Sequence, residues 1–314
     1  MITPPKAHSM REGLGGGHFY DTYRSCPRKW FLKYVLGFKE RTFAKALNYG
    51  SAVHEAFSEF YKDWDKDTLI GVALQRIDEA RDKYYKLTDY QNDRNKAVDS
   101  LGKWYSQFGV SDKETFDVVE NEEEHISTLS NGVEYRIRPD RIMREKTTGK
   151  VYIFDTKTTG AGLDRMFRKT EQSDQPTGYT KIIKPLYGDS FSGWVTDCLY
   201  SRQSVHQCER STPVVIDKER TLIWEIGLMS DIEDLTTRYE LYKEGKLPSE
   251  YLFPARKGAC SVWGCPYSSI CDSRLEDGIN PKDLGFDKDD WVENNYIDTL
   301  MSENKNNLKK GEQC

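Results

Sequence analysis

A short turn-forming segment between two β-rich runs is the sequence feature that most limits how this chain can fold. The runs cover residues 132–141 and 151–158, and the turn lies at Lys146–Lys150 (KTTGK). β-rich runs on both sides of a polar turn that contains glycine indicate an antiparallel hairpin. With the turn centred near residues 147–148, the residues that face each other are those whose numbers add up to about 295.

This register brings three charged side chains together. Asp140 and Asp155 become cross-strand neighbours with Cβ atoms about 5 Å apart, and Lys157 follows two residues later on the same face of the sheet. Two carboxylates can hold Mg²⁺ or Mn²⁺ and leave positions for water and phosphate, and the backbone carbonyl of Thr156 is a further candidate ligand. The ammonium group of Lys157 suits positioning or deprotonating the attacking water, or neutralising charge on a phosphate. The alternative is a solvated strand face with an Asp–Lys salt bridge, and a bulge would shift the register.

The spacing of apolar residues predicts an α+β fold. Residues 18–110 are mainly helical, and residues 111–245 combine strands and helices, which predicts a central mixed β-sheet flanked by helices. Residues 1–17 are polar and rich in glycine, so we expect a flexible N-terminus. Residues 273–314 form an acidic tail with little apolar periodicity, which is typical of a disordered segment.

Composition excludes several classes of protein. With 37% hydrophobic and 31% charged residues among 314, the chain has the composition of a globular protein. No stretch approaches the roughly 20 apolar residues that span a bilayer, and the start lacks the apolar core of a secretory signal. We therefore expect a cytoplasmic protein with no membrane partner, in a prokaryotic cell or in the host if the chain is viral. Residues 272–314 carry eleven Asp/Glu against six Lys/Arg and account for the net charge of −5, so the neutral remainder can still carry a DNA-binding groove.

Three of the seven cysteines crowd into one loop, residues 253–272. They are Cys260, Cys265 and Cys271. A reducing compartment makes disulfides unexpected, so the clustering favours a metal site whose fourth ligand comes from elsewhere. An iron–sulfur cluster, a zinc ion and ordinary buried cysteines are the alternatives, although structural zinc more often uses paired C-x2–4-C units.

Seven short motifs occur in a fixed order along the chain. They are Cys26-Pro27, Gly50–His54 (GSAVH), Glu120, Pro139-Asp140, Asp155–Thr158 (DTKT), Gln175 with Tyr179, and Cys260 with Cys265 and Cys271. Together they resemble the PD-(D/E)XK nuclease superfamily, in its RecB-like branch with an iron–sulfur cluster. That branch includes the CRISPR-associated four-cysteine exonucleases and the AddB-type helicase–nucleases. The resemblance implies a single nuclease domain over residues 18–272.

The resemblance implies a metal centre of Mg²⁺ or Mn²⁺. His54 from a neighbouring helix would join Asp140 and Asp155 as ligands, and Glu120 would provide a further acidic position. Imidazole beside carboxylates suits Mn²⁺ over Mg²⁺. The alternatives are an ordinary histidine on a polar helix face and an acidic surface strand at residues 120–124.

Gln175 and Tyr179 are the positioning residues that the resemblance implies. They are four residues apart and share one face if the helix begins at residue 175 or 176. Pro176 and Gly178 depart from the pattern of the family, but proline is tolerated in the first turn of a helix. We expect the pair to help place the site and the DNA strand.

For the cysteines, the resemblance implies a [4Fe–4S] cluster. Its ligands would be Cys26, Cys260, Cys265 and Cys271, with Zn²⁺ as the alternative occupant of the same site. Such a cluster would join the N-terminal helix to the loop 253–272, and it need not carry out redox chemistry.

The activity implied is that of a metal-dependent DNA exonuclease in recombination, repair or processing of DNA. The substrate would be single-stranded DNA or DNA ends, with 5′-to-3′ degradation as one option. A catalytically silent or partner-dependent DNA-binding protein and a structure-specific endonuclease are alternatives on the same fold. A helicase, recombinase or integrase is the kind of partner that the resemblance allows, and so is a homo-oligomer.

Basic residues interleaved with aromatic ones are the candidates for DNA contacts. Arg24, Arg28 and Lys29 lie at helical spacing among tyrosines and a tryptophan, a mixture that can follow phosphates and stack on unpaired bases. Lys181 follows the Gln175–Tyr179 segment. A solvated helix face is the alternative for each of them.

Overall fold

The structure is a computed structural model and describes residues 15–40, 45–81, 87–202, 205–260, 265–271, 281–288 and 296–311. The predicted flexible N-terminus lies almost entirely outside the described residues, as do parts of the cysteine loop and of the acidic tail. None of the helices in the described ranges is long and apolar enough to cross a membrane.

Helices and strands occur in groups along the chain. The helices are α1 (Gly17–Ser25), α2 (Pro27–Trp30), α3 (Lys45–Asp63), α4 (Lys66–Glu79), α5 (Leu87–Trp104), α6 (Val110–Thr115), α7 (Leu163–Gln172), α8 (Asp174–Tyr187), α9 (Lys218–Lys243), α10 (Ser249–Leu252), α11 (Ser268–Cys271) and α12 (Tyr296–Gly311). The strands are β1 (Phe38–Glu40), β2 (Phe116–Asn121), β3 (His125–Thr128), β4 (Glu134–Ile137), β5 (Arg141–Glu145), β6 (Val151–Thr159), β7 (Phe191–Arg202), β8 (Val205–Arg210) and β9 (Phe286–Lys288). Segments of π-helix, Phe31–Val35 and Tyr105–Gly109, extend α2 and α5.

The chain forms two compact units, and neither is continuous in sequence. The sheet unit consists of Phe43–His125 and Arg138–Thr221. The cysteine unit consists of the described parts of Met1–Thr42, Ile126–Ile137 and Leu222–Cys314. This division differs from the single domain expected over residues 18–272, because the N-terminal helices fold together with the chain that follows residue 222.

A five-stranded mixed sheet forms the centre of the sheet unit. Its strand order is β2-β5-β6-β7-β8, and β6 and β7 are the parallel pair. A parallel pair needs a crossover connection, and α7 with α8 provides it. Helices α3 and α5 pack against the strands. The predicted α+β class, with a central mixed sheet flanked by helices, is confirmed.

The β5–β6 hairpin has the predicted register. Arg141 pairs with Phe154 and Ile142 with Ile153. Gly149 in the turn has a φ of +71°, in the left-handed region that glycine adopts without steric cost. The turn therefore fixes which residues of the two strands face each other.

The single strand expected over residues 132–141 is two strands. β4 ends at Ile137 and pairs with β3 in a separate two-stranded sheet, whereas β5 begins at Arg141. Pro139 lies between them and has no backbone N–H to donate to a ladder. This break leaves Asp140 immediately before the first paired residue of β5.

Aromatic side chains of α3 and α5 form much of the core of the sheet unit. Phe57, Phe60, Tyr61 and Trp104 are buried together with Phe154 of β6. The rings of Phe57 and Trp104 meet edge-on, with 4.5 Å between their centroids, which is a favourable aromatic geometry. The helical spacing of these residues thus selects the face that packs on the sheet.

A buried ionic network ties the strands of the sheet unit together. Arg141 of β5 is 1% exposed, and its Nη2 donates to Asp197 Oδ2 of β7 at 2.7 Å. Arg210 of β8 donates to Asp197 Oδ1 and to Asp112 Oδ1, both at 2.6 Å. Two positive and two negative side chains balance one another, which is what makes their burial tolerable.

The cysteine unit joins the N-terminal helices to the chain around residues 253–271. Trp30 and Phe31 stack on Phe253, with 5.7 Å and 4.8 Å between ring centroids. The backbone N–H of Arg28 donates to the carbonyl of Pro254 at 3.3 Å, and β1 pairs with β9 antiparallel.

Two pieces of the acidic tail are structured, which the sequence did not predict. They are β9 and the helix α12, whose residues Ile297 and Met301 are buried. Asp298 accepts a hydrogen bond of 2.7 Å from the hydroxyl of Tyr239. One apolar pair in a charged segment is too short a pattern to predict a helix. For the tail residues outside the described ranges, disorder stays a prediction.

We expect the substitution Asp197→Ala to destabilise the protein by about 3–5 kcal/mol, because it leaves the buried guanidinium of Arg141 and the half-buried guanidinium of Arg210 without their shared carboxylate. Urea unfolding followed by circular dichroism measures this change. The control Glu59→Ala removes the exposed pair that Lys62 forms with Glu59 and should cost about 1 kcal/mol or less. Equal losses for the two variants would contradict the importance of the network.

Candidate metal centre

The start of β5 and the middle of β6 place the predicted charged trio together. The backbone N–H of Thr156 donates to Asp140 Oδ2 at 2.7 Å, so Asp140 is held against β6. Lys157 Nζ donates to Asp155 Oδ1, also at 2.7 Å. These two hydrogen bonds bring the predicted trio together on β6, where Asp155 is buried and Lys157 is half-buried.

A second group of side chains converges on Asp140. His54 Nδ1 of α3 lies 3.2 Å from Asp140 Oδ2. His54, Glu122 and Asp140 each offer one ligand atom, and these three atoms lie within 4.8 Å of one another. In the part of the chain that the structure describes, this is the one such set of three potential metal ligands.

Glu122 is the residue that sequence reasoning missed. It follows β2 and has a φ of +56°, a left-handed conformation that is uncommon outside glycine. Its backbone N–H donates to the carbonyl of Asp140 at 3.0 Å, which fixes this turn. The acidic run 120–124 was the available signal, but a register shift between Val118 and Glu120 decides which member reaches the site.

Glu120, the acidic position expected from the resemblance, lies outside this set. Its carboxylate is bonded by His125 Nε2 at 2.5 Å and by the hydroxyl of Tyr187 at 2.6 Å. Both carboxylate oxygens are thus engaged by neighbouring side chains.

Helix α8 brings Gln175 and Tyr179 to the site. The helix begins at Asp174, so Pro176 lies in its first turn, where its missing N–H costs nothing. Gln175 Nε2 donates to Asp155 Oδ1 at 3.2 Å, and the hydroxyl of Tyr179 donates to the carbonyl of Arg138 at 3.1 Å. The alignment of the pair on one helix face is therefore observed.

Neighbouring opposite charges stabilise the ionised forms of Asp140, His54 and Lys157. Burial alone would raise the pKa of Asp140, but the nearby His54 and Lys157 and the Thr156 N–H lower it well below its usual range. Burial alone would lower the pKa of His54 and of Lys157, but Asp140 and Asp155 raise both. Lys157 therefore stays an ammonium ion at neutral pH.

The other two carboxyl groups are shifted the opposite way. Burial, helped by the negative charge of Asp140, raises the pKa of Glu122 to about 7. Burial also raises the pKa of Asp155, where Asp140 adds repulsion and Lys157 only partly offsets it. A cation bound between these two carboxyl groups would favour their ionised forms.

The residues fit a divalent metal ion. Asp155 Oδ2 is buried and has no hydrogen-bond partner within the described part of the chain, an arrangement that needs a ligand to satisfy it. Three carboxylates with one imidazole form a donor set that suits Mg²⁺ or Mn²⁺. His54, Glu122, Asp140 and Asp155 are the side chains able to hold the ion.

The four candidate cluster cysteines all lie in the cysteine unit. Cys26 is buried at the start of α2, where its Sγ accepts hydrogen bonds of 3.5 Å from the backbone N–H groups of Lys29 and Arg256. Cys260, Cys265 and Cys271 are half-buried. Burial raises the pKa of the Cys265 thiol, and Cys260 and Cys26 lie close enough to add to it. The donor set of four thiols fits a thiolate-ligated cluster.

One of the DNA contacts expected on the N-terminal helices, Arg28, is wrong. Arg28 is 2% exposed and donates to Ser249 Oγ at 3.1 Å, so it belongs to the core and has no surface for DNA. The neighbouring aromatic residues, Tyr23, Trp30 and Tyr34, are buried as well and cannot stack on bases. Periodicity placed these residues on a helix but did not show that its aromatic face packs inward.

The other three positions expected to contact DNA are less enclosed. Arg24 is paired with Asp231 at 2.6 Å, and Lys29 and Lys181 are half-buried.

The comparison with known families agrees with this fold and site. Two carboxylates and a lysine beside a histidine on a mixed sheet suit metal-dependent hydrolysis. The sequence matches the profile of the PD-(D/E)XK nuclease superfamily over residues 19–272. The chain therefore belongs to this superfamily, whose members hydrolyse phosphodiester bonds of DNA, typically with Mg²⁺ or Mn²⁺.

A search of curated proteins finds no match. Among solved structures, ten chains match. One is the crystal structure of SSO0001, which is 13% identical over 68% of this chain and 84% of its own, with a TM-score of 0.27. A likeness of this size carries no argument about the site.

We expect Glu122→Gln to weaken Mn²⁺ binding at least about tenfold, because even partners outside the ligand shell cost that much. Isothermal titration calorimetry at neutral pH measures the affinity. Glu123→Gln is the matched control, since Glu123 is the exposed neighbour and its loss should leave the affinity unchanged. Similar affinities for the two variants would remove Glu122 from the site.

The same titration should depend on pH. Because the pKa of Glu122 is about 7, this carboxyl is mainly protonated below neutral pH and must release its proton to bind a cation. Its contribution should raise the affinity about tenfold between pH 6 and pH 8. Glu122→Gln removes that contribution, so the affinity of the variant should rise less steeply with pH than that of the parent.

Proposed function

We propose that the chain is a metal-dependent DNA exonuclease that acts on single-stranded DNA or on DNA ends. Membership of the superfamily supplies the phosphodiester hydrolysis. The observation that carries the metal dependence is the set His54, Glu122 and Asp140 beside the unsatisfied, buried oxygen of Asp155. The preference for ends rests on the order of sequence motifs that resembles the RecB-like branch.

In this proposal each side chain has a definite task. His54, Asp140 and Asp155 bind the metal with the backbone carbonyl of Thr156, and Glu122 takes the acidic position first expected at Glu120. A bound divalent ion supplies Lewis-acid polarisation of the phosphate and lowers the pKa of a bound water. Gln175 and Tyr179 then orient the site, since Gln175 bonds Asp155 directly.

Lys157 acts in this proposal as a fixed cation. Burial would lower its pKa, but Asp155 and Asp140 raise it, so it carries its proton at neutral pH while those carboxylates hold no metal. An ammonium group beside the scissile phosphate stabilises the negative charge that develops there. It can also hold the attacking water by donating a hydrogen bond. Of the roles expected from the sequence, positioning and charge neutralisation are the ones that this electrostatic setting supports.

The nuclease proposal predicts that linear single-stranded DNA is degraded with Mn²⁺ or Mg²⁺ and is stable with a chelator. Asp155→Asn should lower the rate at least about 100-fold, because it removes a ligand charge at the reacting centre. End-labelled linear DNA, resolved on a denaturing gel, measures the rate and shows from which end nucleotides are released. Glu124→Gln, an exposed acidic neighbour of the site, is the matched control and should keep full activity.

Circular single-stranded DNA separates the alternatives. An exonuclease leaves it intact, because it has no end to bind, whereas a structure-specific endonuclease cuts it. Binding of DNA without cleavage under any metal would favour the silent or partner-dependent DNA-binding protein. Activity retained in Asp155→Asn would contradict the assigned site.

We also propose that Cys26, Cys260, Cys265 and Cys271 hold a [4Fe–4S] cluster. Structural zinc more often uses paired C-x2–4-C units, whereas here three thiols come from one loop and the fourth from the start of α2. This division favours a four-iron group over a single zinc ion.

The cluster proposal predicts about four iron and four sulfide ions per chain in protein purified without oxygen. Cys265→Ser should lose most of the iron and the visible absorption of the cluster. Cys208→Ser is the matched control, because Cys208 is buried in the core of the sheet unit and should not affect iron content. Stoichiometric zinc with no iron would overturn the assignment in favour of a zinc site.

A further inference from the structure

One exposed arginine lies at the edge of the metal centre. Arg138 Nε is 3.1 Å from Glu122 Oε2, and the side chain of Arg138 is 46% exposed. Among the described residues, Glu122 is the one carboxylate that pairs with Arg138. Since Glu122 belongs to the ligand set with His54 and Asp140, the guanidinium of Arg138 lies next to the metal centre and is still open to solvent.

The backbone of Arg138 is held in place. Its carbonyl accepts a hydrogen bond of 3.1 Å from the hydroxyl of Tyr179. Pro139 follows and is buried, and a residue before proline is restricted to extended conformations. Tyr179 shares α8 with Gln175, which bonds Asp155. The side chain of Arg138 therefore extends from a fixed point beside the site, and rotations about its own bonds move the guanidinium.

The ion pair of Arg138 is weak, in contrast to the contacts of Arg141. Arg141 is 1% exposed and bonds Thr156 and Asp197, so it belongs to the fold. An ion pair as exposed as that of Arg138 with Glu122 contributes little to stability. Arg138 can therefore exchange Glu122 for another anion at little cost to the folded state.

A DNA phosphate is the anion that fits this position. A guanidinium group matches a phosphate with two parallel N–H donors. A phosphate that binds the same ion as Glu122 is a neighbour of this carboxylate, so it comes within reach of the guanidinium of Arg138. Lys157 pairs with Asp155 at 2.7 Å, so the two cations contact different carboxylates of the site.

We propose that Arg138 binds the phosphate of the bond to be cleaved, and that Glu122 holds its guanidinium beside the site until DNA arrives. This inference rests on the proposed nuclease function and adds a second cation, besides Lys157, to it. Glu122 is a single carboxylate between two cationic partners, so Arg138 leaves it when a divalent ion is bound there. Arg138 then stabilises the negative charge of the reacting phosphate.

The first measurement is the affinity for Mn²⁺ without DNA, by isothermal titration calorimetry at pH 8, above the pKa of Glu122. Arg138→Gln should raise this affinity about two- to fivefold, because the metal ion no longer displaces a partly exposed ion pair. Arg138→Lys keeps the charge and should stay close to the parent. If Arg138 only supported the position of Glu122, its loss would lower the affinity instead. A rise also shows that the variant is folded.

The second measurement is the salt dependence of DNA binding with Ca²⁺ in place of Mn²⁺. The probe is a labelled single strand of about 20 nucleotides, and a denaturing gel checks that it stays intact. One phosphate contact on a single strand contributes about 0.7 to the slope of log affinity against log salt. Arg138→Gln should reduce the magnitude of the slope by about this amount. In turnover with Mn²⁺, its kcat/KM should fall about 100-fold.

Arg144→Gln is the matched control, because Arg144 is an exposed arginine at the hairpin end of β5. It should leave the Mn²⁺ affinity, the slope and kcat/KM unchanged. Equal changes in the two variants would show a general charge effect and overturn the inference. An Arg138→Gln protein that keeps the slope of the parent, or whose Mn²⁺ affinity does not rise, also overturns it and leaves the nuclease proposal standing. A parent that neither binds nor cleaves DNA contradicts the proposed function itself.

Discussion

The buried guanidinium of Arg141 is the contact on which the rest of the sheet unit depends. It donates to Thr156 on the neighbouring strand and to Asp197 one strand further, so a single side chain spans three strands. Burying such a charge is costly unless its hydrogen bonds are satisfied in one geometry. Arg141 follows Asp140 directly, and the N–H of Thr156 bonds Asp140. The contact that holds the sheet therefore also holds the metal centre.

The site itself is a balance of charges in a desolvated setting. Asp140 and Asp155 repel each other, and His54 with Lys157 offsets them, which raises the pKa values of both cationic groups. Glu122 keeps a proton near neutral pH because burial and the charge of Asp140 outweigh the nearby Arg138, which pairs with it at 3.1 Å. A divalent ion would supply further positive charge, which explains why so many acidic groups are gathered at one point.

Much of this site could be predicted from the sequence. The predictions that were incomplete or wrong have local structural causes. The turn at Gly149 fixed the register of β5 and β6, and the spacing of Gln175 and Tyr179 fixed their shared helix face. Glu122 was not predicted because a bulge and a left-handed backbone conformation place it in the site. Neither feature can be predicted from the spacing of residues in the sequence. Arg28 was wrongly predicted to contact DNA, because periodicity shows that a helix has two faces but does not show which basic residue is buried in the core.

The sequence by itself determined the α+β class, the hairpin register and the pairing of two carboxylates with a lysine, because each of these follows from local turn chemistry and side-chain period. Tertiary structure alone decided the division into two discontinuous units, the burial of Arg28 and the placement of Glu122, and not Glu120, next to His54 and Asp140. These features depend on contacts between residues far apart in the chain, and the packing of the whole sets them.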